Sequence, residues 1–159
     1  MAIDRRAFLR LAAGTVACAC AGAASISGCS RAAAAHTPTA PAGSYRRQGH
    51  QVIVTLSAAG QLQAVGGAVR LVLDGGETKL VVLHPEDRAY RAFADRCTHN
   101  GKELDYLHEE REIRCCSRRS RFDLAGQRIK GPAEGDLSAY PVQQQGNELV
   151  IDVRCPLPG

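Results

Sequence analysis

Cys97-Thr98-His99-Asn100-Gly101 and Cys115-Cys116-Ser117-Arg118-Arg119-Ser120-Arg121-Phe122-Asp123 are the two stretches around which the chain is organised. Each is a short polar loop carrying Gly or Ser, and each holds soft ligand atoms. Cys97 and His99 stand two apart, so an extended backbone points both side chains to one side. Residues 100–114 separate His99 from Cys115, enough for a hairpin that returns Cys115 beside Cys97. Two thiolates and an imidazole make a donor set for zinc or for an iron–sulfur centre.

Outward from these loops the pattern is that of strands. Val52, Val54 and Leu56 alternate with polar partners. Ala68 to Leu73 and Thr78 to Leu83 are apolar runs joined by Asp74-Gly75-Gly76, a hairpin signal. Ala89 to Ala94 predicts a strand that delivers Cys97. Lys102 to Leu107 has room for one helical turn, and Glu112 to Cys115 predicts a short strand into the second loop. Ala125-Gly126-Gln127 reads as a turn. Ser138 to Gln144 and Glu148 to Val153 predict a closing hairpin across Gly146-Asn147. The expected fold is all-β, an antiparallel sandwich or barrel over residues 45–154. Sixteen glycines, 4% aromatic residues and no Trp suit a turn-rich domain with a modest core.

The N-terminus reads as an address. Asp4-Arg5-Arg6-Ala7-Phe8-Leu9-Arg10 precedes an Ala- and Gly-rich apolar stretch from Leu11 to Ile26, too short and too weakly hydrophobic for a membrane span. Residues 1–28 resemble a twin-arginine export signal, with Asp4 at that pattern's usual Ser or Thr. Ile26-Ser27-Gly28-Cys29 resembles a lipobox, which implies cleavage before Cys29 and lipidation of it. The implied location is the bacterial cell envelope, lipid-anchored to a membrane and facing the periplasm or the exterior. That export route carries proteins already folded, often around a cofactor. Residues 29–44, rich in Ala and Pro, then read as a flexible tether in which His36 is solvated. Residues 1–28 carry Arg5, Arg6 and Arg10 against Asp4, so removing them takes the net charge from +4 to 17 basic against 15 acidic residues. That balance argues against a nucleic-acid partner.

The two loops, together with Gly131-Pro132-Ala133, resemble the cluster-binding boxes of Rieske proteins, which hold a [2Fe–2S] centre with two Cys on one iron and two His on the other. The resemblance implies a small β base with a cluster-binding subdomain inserted at about 95–135. It gives Cys97 and Cys115 the thiolate positions and His99 the first imidazole. Arg118 falls where the family has its second His. Ser120 matches the residue whose hydroxyl donates a hydrogen bond to a cluster sulfide. Phe122 stands where high-potential members have Tyr, and the missing hydroxyl implies a lower reduction potential. Lys102 and Ser117 occupy the positions of the family's loop-bracing disulfide, which therefore cannot form. Cys116 stands at a usual Pro, and a Cys116–Cys155 disulfide is possible in an oxidising compartment.

Two functional readings follow. In the first, an envelope lipoprotein passes single electrons to a redox partner protein, as a free carrier or as the small subunit of an oxidoreductase. Cys116 or His108 would then complete the ligand set, since a guanidinium is a poor ligand for iron. In the second, the domain has lost its cluster, and Arg118, Arg119 and Arg121 make a basic tip for an anion or an acidic partner, with Glu109, Glu110 and Glu112 near enough to neutralise it. No nucleophile constellation or nucleotide loop is present, so catalysis by the chain alone is not expected.

Overall fold

Among the described residues, alternating apolar runs and glycine turns become twelve strands in three four-stranded sheets, every strand pair antiparallel. The computed structural model describes residues 36–117, 119–154 and 156–157. The expected export signal, Cys29, Arg118 and Cys155 lie outside the described residues. The first sheet has the order β1 (Tyr45–Gln48), β2 (Gln51–Thr55), β12 (Glu148–Asp152), β11 (Val142–Gln145). The second runs β10 (Ala139–Tyr140), β5 (Ala89–Ala94), β4 (Thr78–Glu86), β3 (Ala68–Leu73). The third holds β6 (Leu104–Leu107), β7 (Glu112–Cys115), β8 (Arg121–Phe122) and β9 (Arg128–Lys130). The all-β antiparallel architecture is thus as expected, and among the described residues helix is limited to 3-10 turns at Gly60–Gln63 and Asp74–Gly76.

Lys102 to Leu107 differs from expectation. In place of a helical turn, residues 104–107 form β6, pairing Leu104 with Cys115 and Leu107 with Glu112. Leu104 and Tyr106 are both buried in one apolar cluster, a period of two that only a strand can place on one face. Both predicted hairpins form. Leu73 pairs with Thr78 across a turn in which Asp74, Gly75 and Gly76 all have positive φ, and Gln145 pairs with Glu148 across Gly146-Asn147.

The middle sheet is covered on both sides. Along β4, Leu80 and Val82 enter one apolar cluster with Val52, Val54, Leu149 and Ile151 of the first sheet. Val81 and Leu83 enter a second cluster with Leu104, Ile113 and Phe122 of the third sheet. A strand buried on both faces reads as an unbroken apolar run, which is why Leu80 to Leu83 shows no polar alternation.

Of the expected tether, 29–44, the part 29–35 lies outside the described residues. From Thr37 onward the chain lies against the domain: Arg70 donates its N–H to the Pro38 carbonyl, and Ala40 donates back to Arg70 O. Thr37 N–H bonds Asp105 Oδ1 (3.1 Å), and Tyr106 N–H bonds Thr37 Oγ1 (2.9 Å). His36 is exposed, yet it sits 3.3 Å from Asp105. Composition signalled a linker here because the strap offers few apolar side chains; backbone hydrogen bonds hold it instead.

The strap, β3 and β6 meet at Arg70, which alternation turns toward the third sheet. Its guanidinium pairs with the fully buried Asp95 and donates to Thr37 O and Leu104 O (2.8 Å each). Asp95 Oδ1 also accepts the Leu104 N–H at 2.7 Å. Burial opposes the charge on Arg70, but the hydrogen bond and field of Asp95, with Glu103 and Asp105, hold its pKa above the ordinary value. Farther along, Gly131 lies at φ 102 with its Cα facing the second loop. A Cβ there would overlap the Arg119 carbonyl and come within 2.7 Å of Ser120 Cα.

Arg70→Met should cost about 3–5 kcal/mol, because it strands Asp95 as an uncompensated buried charge. Urea unfolding measures this, and a loss below about 1 kcal/mol would mean that the pair is not what holds Asp95. Gly131→Ala should displace the second loop at a cost of about 1–3 kcal/mol. Unchanged stability and unchanged exposure of the Cys115 thiol to a thiol reagent would contradict that close approach.

Candidate metal centre

The third sheet brings the two loops together across one strand start. Cys97 N–H donates to Lys102 O (2.8 Å) and Cys116 N–H to Glu103 O (2.9 Å), so residues 102–103 carry a loop on each side. The first loop closes on itself by Gly101 N–H to Cys97 O, with Gly101 at φ 69. The second closes by Cys115 N–H to Ser120 O at 3.0 Å. Cys97 and Cys115 are both 1% exposed, both free thiols, and members of the same buried cluster. Asn100 of the first loop places Oδ1 3.6 Å from Cys115 Sγ, so the first loop touches the thiol of the second. Ser117 Oγ lies 3.1 Å from the same sulfur.

His99 is exposed at the outer side of the first loop, while Thr98 Oγ1 donates to Gly135 O (2.7 Å) and seats the segment 131–137 over it. Ser120 is wholly buried, and its Oγ has no hydrogen-bond partner. A buried hydroxyl without an acceptor is uncommon and calls for an explanation, an unseen group among them. Phe122, also wholly buried, pairs with Ile113 in the third sheet. Beside the first loop, Arg96, Thr98, His99 and Ser138 help line a recess of about 290 Å³.

Two proposed additional ligands fare differently. His108 follows β6 at the far end of the hairpin, bonded to Tyr106 Oη (2.8 Å). Leu107 pairs with Glu112, three residues from Cys115, which sets His108 roughly 10 Å away along the strand. It is not part of the site. Cys116 is half-buried, and burial, with the adjacent Cys115, pushes its thiol pKa up. Of the anticipated neutralisation, one pair is found: Arg121 meets Glu112 through Nε at 2.7 Å, whereas Glu110 pairs with Arg114, outside the tip. Only Arg119 of the described basic tip is then exposed and without an acidic partner.

Among the described residues no three His, Cys, Asp or Glu side chains converge as a single-ion site requires. A two-iron centre makes a different demand, a pair of protein ligands on each iron. Two buried thiols, an imidazole on the outer side and an orphaned serine hydroxyl in the second loop fit that demand at three of its four positions. Sequence reasoning missed Asn100 and Ser117, although both lie inside the quoted loops, because neither amide nor hydroxyl is a ligand type. It also missed Arg70 and Asp95, which are 25 residues apart and joined only by sheet topology.

The Rieske [2Fe-2S] domain family model matches residues 53–141. The ferredoxin component of a naphthalene 1,2-dioxygenase system from Pseudomonas aeruginosa is 30% identical over 79 residues, 48% of this chain and 76% of that protein. Among solved structures, the complex of reduced oxygenase and oxidized ferredoxin in carbazole 1,9a-dioxygenase aligns with TM-score 0.50 and 21% identity, covering 59% of this chain and 87% of that one. The plasma membrane Rieske protein PetC3 of Synechocystis PCC 6803 aligns with TM-score 0.45 and 26% identity, over 52% and 85%. With paired loops on an inserted third sheet, and a family match across more than half of its length, this chain belongs to the Rieske [2Fe-2S] domain family.

Proposed function

We propose that the protein is a one-electron carrier. The observation that carries this reading is the buried, unpartnered Ser120 hydroxyl in the loop closed on Cys115. When bound, a [2Fe–2S] centre supplies a single-electron couple. Cys97 and Cys115 would hold the inner iron, losing their protons as they do so, and His99 would hold the outer one. Ser120 would donate its hydroxyl hydrogen to a sulfide, and the apolar cluster behind the thiols would keep water from them. Phe122 offers no second hydroxyl, which favours a lower potential. His99 is exposed, so an electron would leave at the loop end.

The fourth position falls to Arg118, whose guanidinium stays charged at any ordinary pH. Three side chains would therefore retain the centre less firmly than four. The ferredoxin relative supports a redox protein as partner, with this chain acting as carrier or as small subunit and not as a catalyst by itself. Arg5-Arg6 and Ile26-Ser27-Gly28-Cys29 support twin-arginine export and lipid anchoring in the bacterial envelope.

Iron and acid-labile sulfide counting with low-temperature EPR tests the carrier. Wild type should be coloured but readily stripped by chelator, and Cys97→Ser colourless. Arg118→His should slow stripping by about tenfold or more, since even outer-shell partners are worth roughly 10–100-fold in metal affinity. Cys116→Ser should leave the spectrum unchanged. Wild type and Arg118→His both free of iron would overturn the carrier in favour of a cluster-less binding module.

For the address, Cys29→Ala should release the protein from the membrane fraction or leave its leader uncleaved. Unchanged membrane retention and processing would rule out the lipobox.

A further inference from the structure

Charge is paired along the third sheet and unpaired at its loops. Arg111 meets Glu86, Arg114 meets Glu110 and Arg121 meets Glu112. Arg96, Lys102, Arg119 and Lys130 are exposed and make no ion pair among the described residues. All four surround the two loops. Arg96 precedes Cys97, and its Nε lies 3.4 Å from where a Gly101 side chain would begin. Lys102 follows Gly101, and its acidic neighbour Glu103 is taken up by Lys79 at 3.2 Å. Arg119 lies against Gly131, and Lys130 stands opposite Arg121 in the ladder. Against them the closing segment sets Glu134 and Asp136, and Asp136 accepts the Arg128 N–H (2.6 Å).

Next to Lys130 on β9, Ile129 is 52% exposed, one of three large apolar side chains exposed among the described residues. Exposed Arg beside an apolar side chain suits the composition of a protein-docking surface. The recess beside Arg96 and Thr98 adds a concavity that a side chain can enter.

We propose that Arg96, Lys102, Arg119 and Lys130, flanking the two loops, form the docking face for an acidic protein surface, a partner carboxylate entering the recess beside Arg96. Guanidinium and carboxylate pair with directional, charge-assisted bonds, and the unpaired rim steers an anionic surface toward His99. An anionic lipid surface fits less well, because one isoleucine on a three-residue strand is not the wide apolar face that interfacial binding uses. That the partner exchanges electrons rests on the carrier reading; that it is acidic does not.

The test uses the full-length protein and defined probes. Reduced protein is mixed by stopped flow with anionic ferricyanide or with cationic cobalt(III) hexammine over a range of salt. In parallel, labelled polyglutamate is titrated by fluorescence anisotropy, and anionic phosphatidylglycerol vesicles by sedimentation. Wild type should react with ferricyanide about tenfold or more slowly at high salt than at low, and with the hexammine complex faster as salt rises. Paired reversals, Arg96→Glu with Lys102→Glu and Arg119→Glu with Lys130→Glu, should invert both slopes and weaken polyglutamate binding by about tenfold. Circular dichroism checks their folding, and Arg96→Gln with Lys102→Gln replaces any reversal that unfolds. Salt slopes of the opposite sign, or polyglutamate binding indifferent to these variants, overturn the proposal. Vesicle binding that needs phosphatidylglycerol in place of neutral phosphatidylcholine and is lost in the paired reversals, without polyglutamate binding, overturns it in favour of a lipid surface. A colourless protein that binds polyglutamate through these residues would remove the electron-transfer reading and leave the acidic partner standing.

Discussion

One buried guanidinium ties together three parts of the chain that have no proximity in sequence. Arg70 on β3 grips Asp95 just before the first loop, the Leu104 carbonyl at the start of β6, and the Thr37 carbonyl of the strap. The apolar cluster beneath the loops can pull the third sheet onto the middle one, but burial has no direction. The directional bonds of Arg70 and Asp95 set where β6 begins, and the two residues just before it carry both loops through Lys102 O and Glu103 O. Such a pair is weak evidence for net stability, since taking two charges out of water costs several kcal/mol per ion. What it supplies here is register.

Register matters more than usual because, among the described residues, no disulfide braces the loops. Lys102 and Ser117 stand where a disulfide joins the loops in many family members. In its absence the loops are seated by contacts that leave little room. Gly131 lets the second loop approach backbone to backbone, Thr98 fastens the segment 131–137 over the first, and Asn100 touches the Cys115 sulfur. Ser117, at a position of the missing bridge, lies against the same sulfur. The thiols are thereby held in place by neighbours that are themselves hydrogen-bonded.

How much of this was legible in the sequence depended on the range of the interaction. Ala68–Leu73, Ala89–Ala94 and Glu112–Cys115 were readable to the residue because their apolar runs are bounded by turn residues or by charge. Leu104–Leu107 was not, because Asp105 breaks the apolar pattern, and only the structure shows that carboxylate to be buried, accepting from Thr37 and facing Arg70. The strap was illegible for a similar reason: Thr37-Pro38-Thr39-Ala40 has the composition of a linker and is held through backbone groups that no side-chain pattern reports. At the site, ligand types at fixed spacing were plain, and so was the departure at Arg118. The empty hydrogen-bonding capacity of Ser120 and the unpaired rim of cations appear only once burial and partners are known.

The two apolar clusters divide the domain in a way that bears on how it breathes. They share the middle sheet and little else, one cluster lying toward the first sheet and the other toward the third. Two cores on opposite faces of one sheet are the structural ground for two cooperative opening units. Peeling away the third sheet would expose Cys97 and Cys115 while the β2–β4–β12 sandwich stayed closed. The slowest amide hydrogen exchange then belongs on β4, between the two units, and faster concerted exchange on β6 and β7. A domain built this way has a route that bares its buried thiols without passing through global unfolding.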